Sequence, residues 1–227
     1  FESTRQESRR ASVAYDPEVA DGHDLRIRGF WADHESSGFP DDSGGPLYAV
    51  LPDPENREGE ESGLSVRYAL QIDETGGVLH VQGSHYRRTD ETVSPGVVPG
   101  VRDPMGLPES TVDSELVRWV ASAWYAQPLR YGMRVLAGTE WEREEGDSAS
   151  MVDYGFFQSA GRYDLDRDTH SVFAEANGEW NRWVAQWGVR WNDASGVGDE
   201  WLHRVGVSMD LPEVNSRARL HFSEGFK

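Results

Sequence analysis

The residues able to do chemistry are scattered, and few stand at useful spacings. Asp164-Leu165-Asp166-Arg167-Asp168 sets three carboxylates two residues apart, as calcium loops do, but lacks the turn glycine and closing glutamate of an EF-hand. In water such a run is first of all a solvated acidic segment. The seven histidines form no HxxH or HExxH pair that would put two imidazoles on one face. No G-x-S-x-G element nominates a serine nucleophile. The chain has no cysteine, which excludes thiol catalysis, disulfides and Cys-ligated zinc or iron–sulfur sites. Gly76-Gly77, after Asp73-Glu74-Thr75, reads as a hairpin turn rather than a phosphate cradle. No catalytic residue, metal site or cofactor is expected, and the chain is not read as an enzyme.

Bulk properties narrow the class. The 227 residues carry 22 basic and 40 acidic side chains, a formal charge of −18. A nucleic-acid binder needs a basic footprint, so that partner is excluded. Nine Trp, eight Tyr and eight Phe are too many for general disorder. No run approaches the ~18 apolar residues of a membrane-spanning helix, and Phe1-Glu2-Ser3-Thr4-Arg5 does not read as a signal peptide. The absence of a helical span does not bear against a β-barrel, whose signal is weak strand by strand.

The organising feature is a period of two. Leu64, Val66, Tyr68, Leu70 and Ile72 alternate with Ser65, Arg67, Ala69 and Gln71. Trp183, Ala185, Trp187, Val189 and Trp191 alternate with Val184, Gln186, Gly188 and Arg190. Successive strand side chains point to opposite faces, so each segment has one apolar and one polar face. Helical spacing is sustained nowhere. Ten strands are predicted, roughly 4–15, 23–35, 62–72, 78–90, 114–125, 131–142, 169–180, 182–192, 201–211 and 217–226. Short connections alternate with long ones at 36–61, 91–113, 143–168 and 193–200. Short turns at one end and long loops at the other are the pattern of an outer-membrane barrel, not of a Greek-key sandwich.

Charge sorts the same way. Residues 37–61, 91–115, 142–168 and 192–200 have net charges of −6, −4, −5 and −3, the whole of the −18. The polar series holds Arg26, Arg28, Arg67, Arg134, Glu140, Glu175, Glu179, Arg190 and Arg204. On the apolar series the exceptions Asp33, His85, His203 and Glu224 fall near the long-loop ends. Trp31, Trp141, Trp191 and Trp201 fall at that same level, and Tyr15, Tyr125, Trp180 and Trp183 lie by the short turns, giving two aromatic girdles.

The order of segments resembles a known family. Phe173-Ala174-Glu175, then Gly188-Val189-Arg190-Trp191, the turn Leu211-Pro212-Glu213 and the closing Gly225-Phe226-Lys227 are similar to the mid-to-late barrel of TonB-dependent outer-membrane receptors, especially cobalamin and siderophore receptors. Gly138 to Ser148 looks like the preceding strand and loop entrance, and the resemblance extends more loosely upstream. It implies an all-β fold: about ten meandering strands of an incomplete antiparallel transmembrane barrel over residues 1–227, without plug domain or signal peptide. It also implies outer-membrane lipid as surroundings and a scarce corrinoid or siderophore as ligand. The energy-coupling TonB system would act through the plug that is absent from these residues. Loops 36–61, 91–113 and 143–168 are then the expected ligand-facing parts. Because some cobalamin receptors hold calcium in outer loops, Asp41, Asp42 and Asp53 are candidates by analogy alone. Two alternatives remain at this stage. One is a complete small outer-membrane barrel, a pore or a protease; the other is a soluble carbohydrate-binding β-sandwich.

Overall fold

The computed structural model describes residues 5–38, 54–72, 74–97, 99, 104 and 106–225. Its strands are β1 (Arg5–Tyr15), β2 (Glu18–Ala20), β3 (His23–Gly38), β4 (Glu55–Gln71), β5 (Val78–Ser94), β6 (Glu109–Pro128), β7 (Met133–Asp153), β8 (Gln158–Trp180), β9 (Trp183–Ala194), β10 (Gly198–Leu211) and β11 (Ser216–Ser223). Ten of them follow one another in a single antiparallel meander from β1 to β11, while the three-residue β2 clips onto β3. The first and last strands do not pair, so the described sheet is open. This is the incomplete barrel wall expected from the sequence.

Register turns the alternation into two continuous faces. Directly opposed residues of antiparallel strands share a face. One row runs Val13–Gly29–Leu64–His85–Trp119, and another runs Ala176–Trp187–Val205–Phe222. Pairing along the long strands is unbroken, with the only register shift at β2, so every apolar series meets its neighbour's. Turn chemistry keeps it so. Asn181 takes φ 54° in the two-residue turn that sets Trp180 opposite Trp183, a left-handed conformation that asparagine tolerates better than most residues.

No second layer covers the apolar face. Trp187 is 48% exposed and Val205 42%, values that a sandwich core would not permit. Among the described residues the buried apolar side chains are only Val97, Ala126 and Ala194. The sheet is a single layer, and the sandwich alternative falls.

Strand length departs from expectation. β7 and β8 have 21 and 23 residues, against the roughly 9–11 that cross a bilayer. Residues 143–168 are mostly sheet: only 154–157 turn between β7 and β8, and only 195–197 between β9 and β10. β5 runs on to Ser94, β6 begins at Glu109 and β4 at Glu55. The long loops at 143–168 and 193–200 are therefore corrected to tall hairpins, and the connection expected at 91–113 is narrowed to the residues between Ser94 and Glu109. The physical reason is that the backbone ladder continues wherever two strands can pair, whether or not an apolar face rewards it. Asp41, Asp42 and Asp53 lie outside the described residues.

Candidate functional site

The polar face of the wall is a network held by its own ion pairs. Arg190 on β9 reaches over β8 to donate to Glu140 on β7 at 2.6 Å, to the Ser171 hydroxyl at 2.8 Å and to Asn192 Oδ1 at 2.6 Å. Its guanidinium also lies 6.0 Å from the Phe173 ring centroid. Ser171 is thereby covered to 1% exposure. Arg204 on β10 pairs with Glu175 on β8 at 2.7 Å. On β6, Arg118 meets Glu142 at 2.6 Å and Glu144 at 3.7 Å, and Arg167 of β8 closes on Glu144 from the other side. Nearer β3, Arg67 sits 5.6 Å from the Trp124 ring, against which His80 stacks. Six of the nine polar-face residues expected from the sequence, Arg26 with its same-face neighbour Asp24 among them, bond or pair with polar-face neighbours or stack on a polar-face ring. Arg28 instead turns to Asp16 near the short-turn end.

Glycines make the reach possible, and sequence reading missed them. Glu175, Gly188 and Arg204 are directly opposed across three strands. A Cβ on Gly188 would stand 3.3 Å from Glu175 Cγ, so the missing side chain is what lets the ion pair span the strand. His34, Gly59 and Asp90 repeat the device: the His34 ring lies where a Cβ would be, and its Nε2 comes within 3.6 Å of Asp90. The available signal was a glycine on the polar series of a strand flanked by bulky partners.

The apolar face carries two aromatic levels. On β9, Trp183 and Trp191 are eight residues apart, or about 27 Å at ~3.4 Å per residue, close to the ~25 Å apolar band of outer-membrane barrels. His85 packs on Trp119 at 3.9 Å, and His203 pairs with Val189 in register. Asp33 follows Trp31 on its strand, and Glu224 accepts a bond from the His203 amide at 2.9 Å. These polar exceptions sit at the upper ring, as expected.

Above that ring the chemistry of the two faces changes over. Asp164, Asp166 and Asp168 lie within β8, not in a loop, opposite Asp147, Glu145 and Arg143 of β7. Arg143 binds Glu145 at 2.7 Å, and Arg162 binds Asp147 at 2.8 Å; that bond raises the Arg162 pKa. On the opposite face of β6–β8 the rows read Leu116–Gly146–Leu165 and then Ser114–Ser148–Tyr163. At the tip, the Asp153 carboxylate accepts from Gln158 Nε2 at 2.9 Å and from the Gly155 amide at 2.7 Å, which holds its pKa below the ordinary value. Among the described residues, no cluster of three or more His, Asp or Glu could hold a metal ion.

Comparison with known proteins agrees with this geometry. The family model described as the TonB dependent receptor-like β-barrel matches residues 3–227. The ferripyoverdine receptor of the Pseudomonas aeruginosa outer membrane, bound to ferripyoverdine, superposes with a TM-score of 0.72 at 13% identity; the match covers 92% of this chain and 34% of that one. The ferric enterobactin receptor of the same organism gives 0.64 at 15% identity, covering 93% and 32%. The RagAB peptide importer in its closed-closed state gives 0.62 at 13%, covering 98% and 32%. The chain thus spans about a third of the length of these structures, and at such identities they show the fold alone. No curated protein matches it significantly.

Proposed function

We propose, on the premise that this chain belongs to the TonB-dependent receptor-like β-barrel family, that it is a wall segment of an outer-membrane receptor for active uptake of a scarce small ligand. A corrinoid or a ferric siderophore is the ligand class in view. In this reading residues 1–227 are a partial barrel domain, and gating belongs to a plug domain worked by the TonB energy-coupling system. The apolar face meets outer-membrane lipid and the ion-paired face lines the lumen. No nucleic acid and no catalytic step is involved.

The observation that carries this reading is the segregation of the two faces over ten strands in unbroken register. Aromatic rings bound the apolar side, and Arg–Glu bridges fill the polar side. An unpaired Arg on a lipid face near mid-depth costs about 2–4 kcal/mol, whereas a wet lumen tolerates it.

The test is made in the receptor that contains this chain. Val189→Arg, on the lipid face, is expected to lower the yield of assembled, heat-modifiable receptor far more than Gln186→Arg on the lumen face. Equal loss, or the reverse order, would reject the facing. Energised cells are expected to accumulate cyanocobalamin or a ferric siderophore in a TonB-dependent way. Failure with every compound of both classes would reject the uptake reading.

A further inference from the structure

Above the upper tryptophan ring, the lumen side of β6, β7 and β8 first carries the paired Arg118, Glu142, Glu144 and Arg167 and is then uncharged. Past the Arg167–Glu144 pair, the remaining lumen-side positions on these strands are serine, glycine, valine, leucine and one tyrosine. Ser148 and Ser150 offer hydroxyls, and Tyr163 is 62% exposed. Gly161 opposes Ser150, whose Oγ stands 2.8 Å from where a Cβ on the glycine would be. This composition gives adaptable hydrogen bonding and one exposed ring, with no cation to grip a carboxylate, catecholate or phosphate. The lumen-side arginines that border it, Arg118 and Arg167 on these strands and Arg57 and Arg88 across the rows, are already paired with Glu142, Glu144, Glu55 and Asp90.

The reverse of the same strands is acidic. Glu115 and Asp147, paired there with Arg87 and Arg162, point to that side with Asp164. The outward positions of 109–117, 143–153 and 158–168 keep nine acids against two arginines, only the thickness of the sheet away. With a screening length of about 8 Å at physiological salt, their field reaches the lumen side. An anion nearing this wall is repelled and finds no compensating contact, while a neutral solute meets donors and acceptors at no electrostatic cost.

We infer that this part of the mouth is a docking face for a neutral solute rich in hydroxyl or amide groups, and that it turns anionic ligands away. The inference rests on the reading of the polar face as the lumen of an uptake receptor, and it narrows that receptor's ligand to one without net negative charge.

The described chain is free of cysteine, which makes a reporter simple. In the whole receptor, with any cysteine elsewhere replaced, Ser150→Cys is modified by two methanethiosulfonate reagents of similar size. One carries a trimethylammonium group and the other a sulfonate, and each rate is normalised to that with a free thiol. The cationic reagent is expected to react at least about tenfold faster at low salt, the gap closing in 1 M salt, where screening falls to about 3 Å. Replacing Glu115, Asp147 and Asp164 with their amides is expected to shrink the ratio. A ratio at or below one overturns the proposal. Ser148→Cys repeats the measurement if Ser150→Cys assembles poorly. In competition, a neutral ferric tris-hydroxamate is expected to slow modification, and protection by a trianionic ferric tris-catecholate overturns the proposal. Loss of energised uptake with the rate ratio intact would instead count against the transport reading.

Discussion

β6, β7 and β8 are each two materials end to end. In the lower half, between the aromatic rings, the outer face is Ala121, Ala137 and Ala174 while the inner face carries Glu140 and Glu175. In the upper half the outer face carries Glu115, Asp147 and Asp164, and the inner face is Ser114, Ser148 and Tyr163. Strand, register and pleat are continuous across the boundary; only the surroundings change. In the proposed reading, charge on these three strands follows the solvent rather than the fold. It keeps to the lumen where lipid would lie outside, and beyond the Arg118–Glu144–Arg167 cluster it moves to the outside, because an ion in hydrocarbon costs kilocalories and an ion in water costs almost nothing.

The widest separation between the halves comes from one charge placed on the same outer face at two heights. Val189→Arg in the lower half is expected to cost about 2–4 kcal/mol of assembled stability, and Asp113→Arg in the upper half less than about 0.5 kcal/mol. Both are read as urea midpoints of the receptor in detergent. Similar costs would break the comparison.

A second contrast sets the two faces of the lower half against each other. A Cβ on lumen-side Gly138 would come within 2.5 Å of the Ala123 carbonyl oxygen and the Trp124 Cβ, whereas one on outward Gly83 would touch nothing within 4 Å. Gly138→Val is accordingly expected to cost about 1–3 kcal/mol by overpacking, with Gly83→Val near neutral in the same assay. Next in size, Glu140→Ala strips Arg190 of its carboxylate. It is expected to cost about 1 kcal/mol, the side chains being about one-third and one-quarter exposed.

The smallest effect lies at the tip. Because the Asp153 pKa is depressed by Gln158 and the Gly155 amide, its contribution is present above the ordinary aspartate value of about 3.9 and is lost as pH falls through the lower folded value. The hydrogen-exchange protection factor of Gly155 should therefore stay level from pH 7 to about 4 and fall below that. A fall already at pH 5 would contradict the depressed value.

The upper half is also where sequence reading failed, for the same reason. Leu64 to Ile72 and Trp183 to Trp191 announce strands because an apolar residue stands at every second position. In 143–168 the alternation persists, with Glu145 and Asp147 flanking Gly146, and Asp164 and Asp166 flanking Leu165, but it alternates charge with neutrality. Hydropathy averages such a segment to a polar loop. A search for charge at period two would have extended β7 and β8. The polar-face arginines and glutamates were legible, since their parity is fixed by the apolar series beside them.

What the 227 residues determined alone was the strand class, the sorting of side chains into two faces, the heights of the aromatic rings and the family resemblance. All of these are properties of one chain repeating every two positions. Partnership was decided only in three dimensions. That Arg190 spans a strand to Glu140, that Gly188 clears the way from Glu175 to Arg204, and that acids of the tall hairpins back a neutral wall all depend on register between strands far apart in sequence. Register is set by turns and cross-strand pairing, which no single segment encodes.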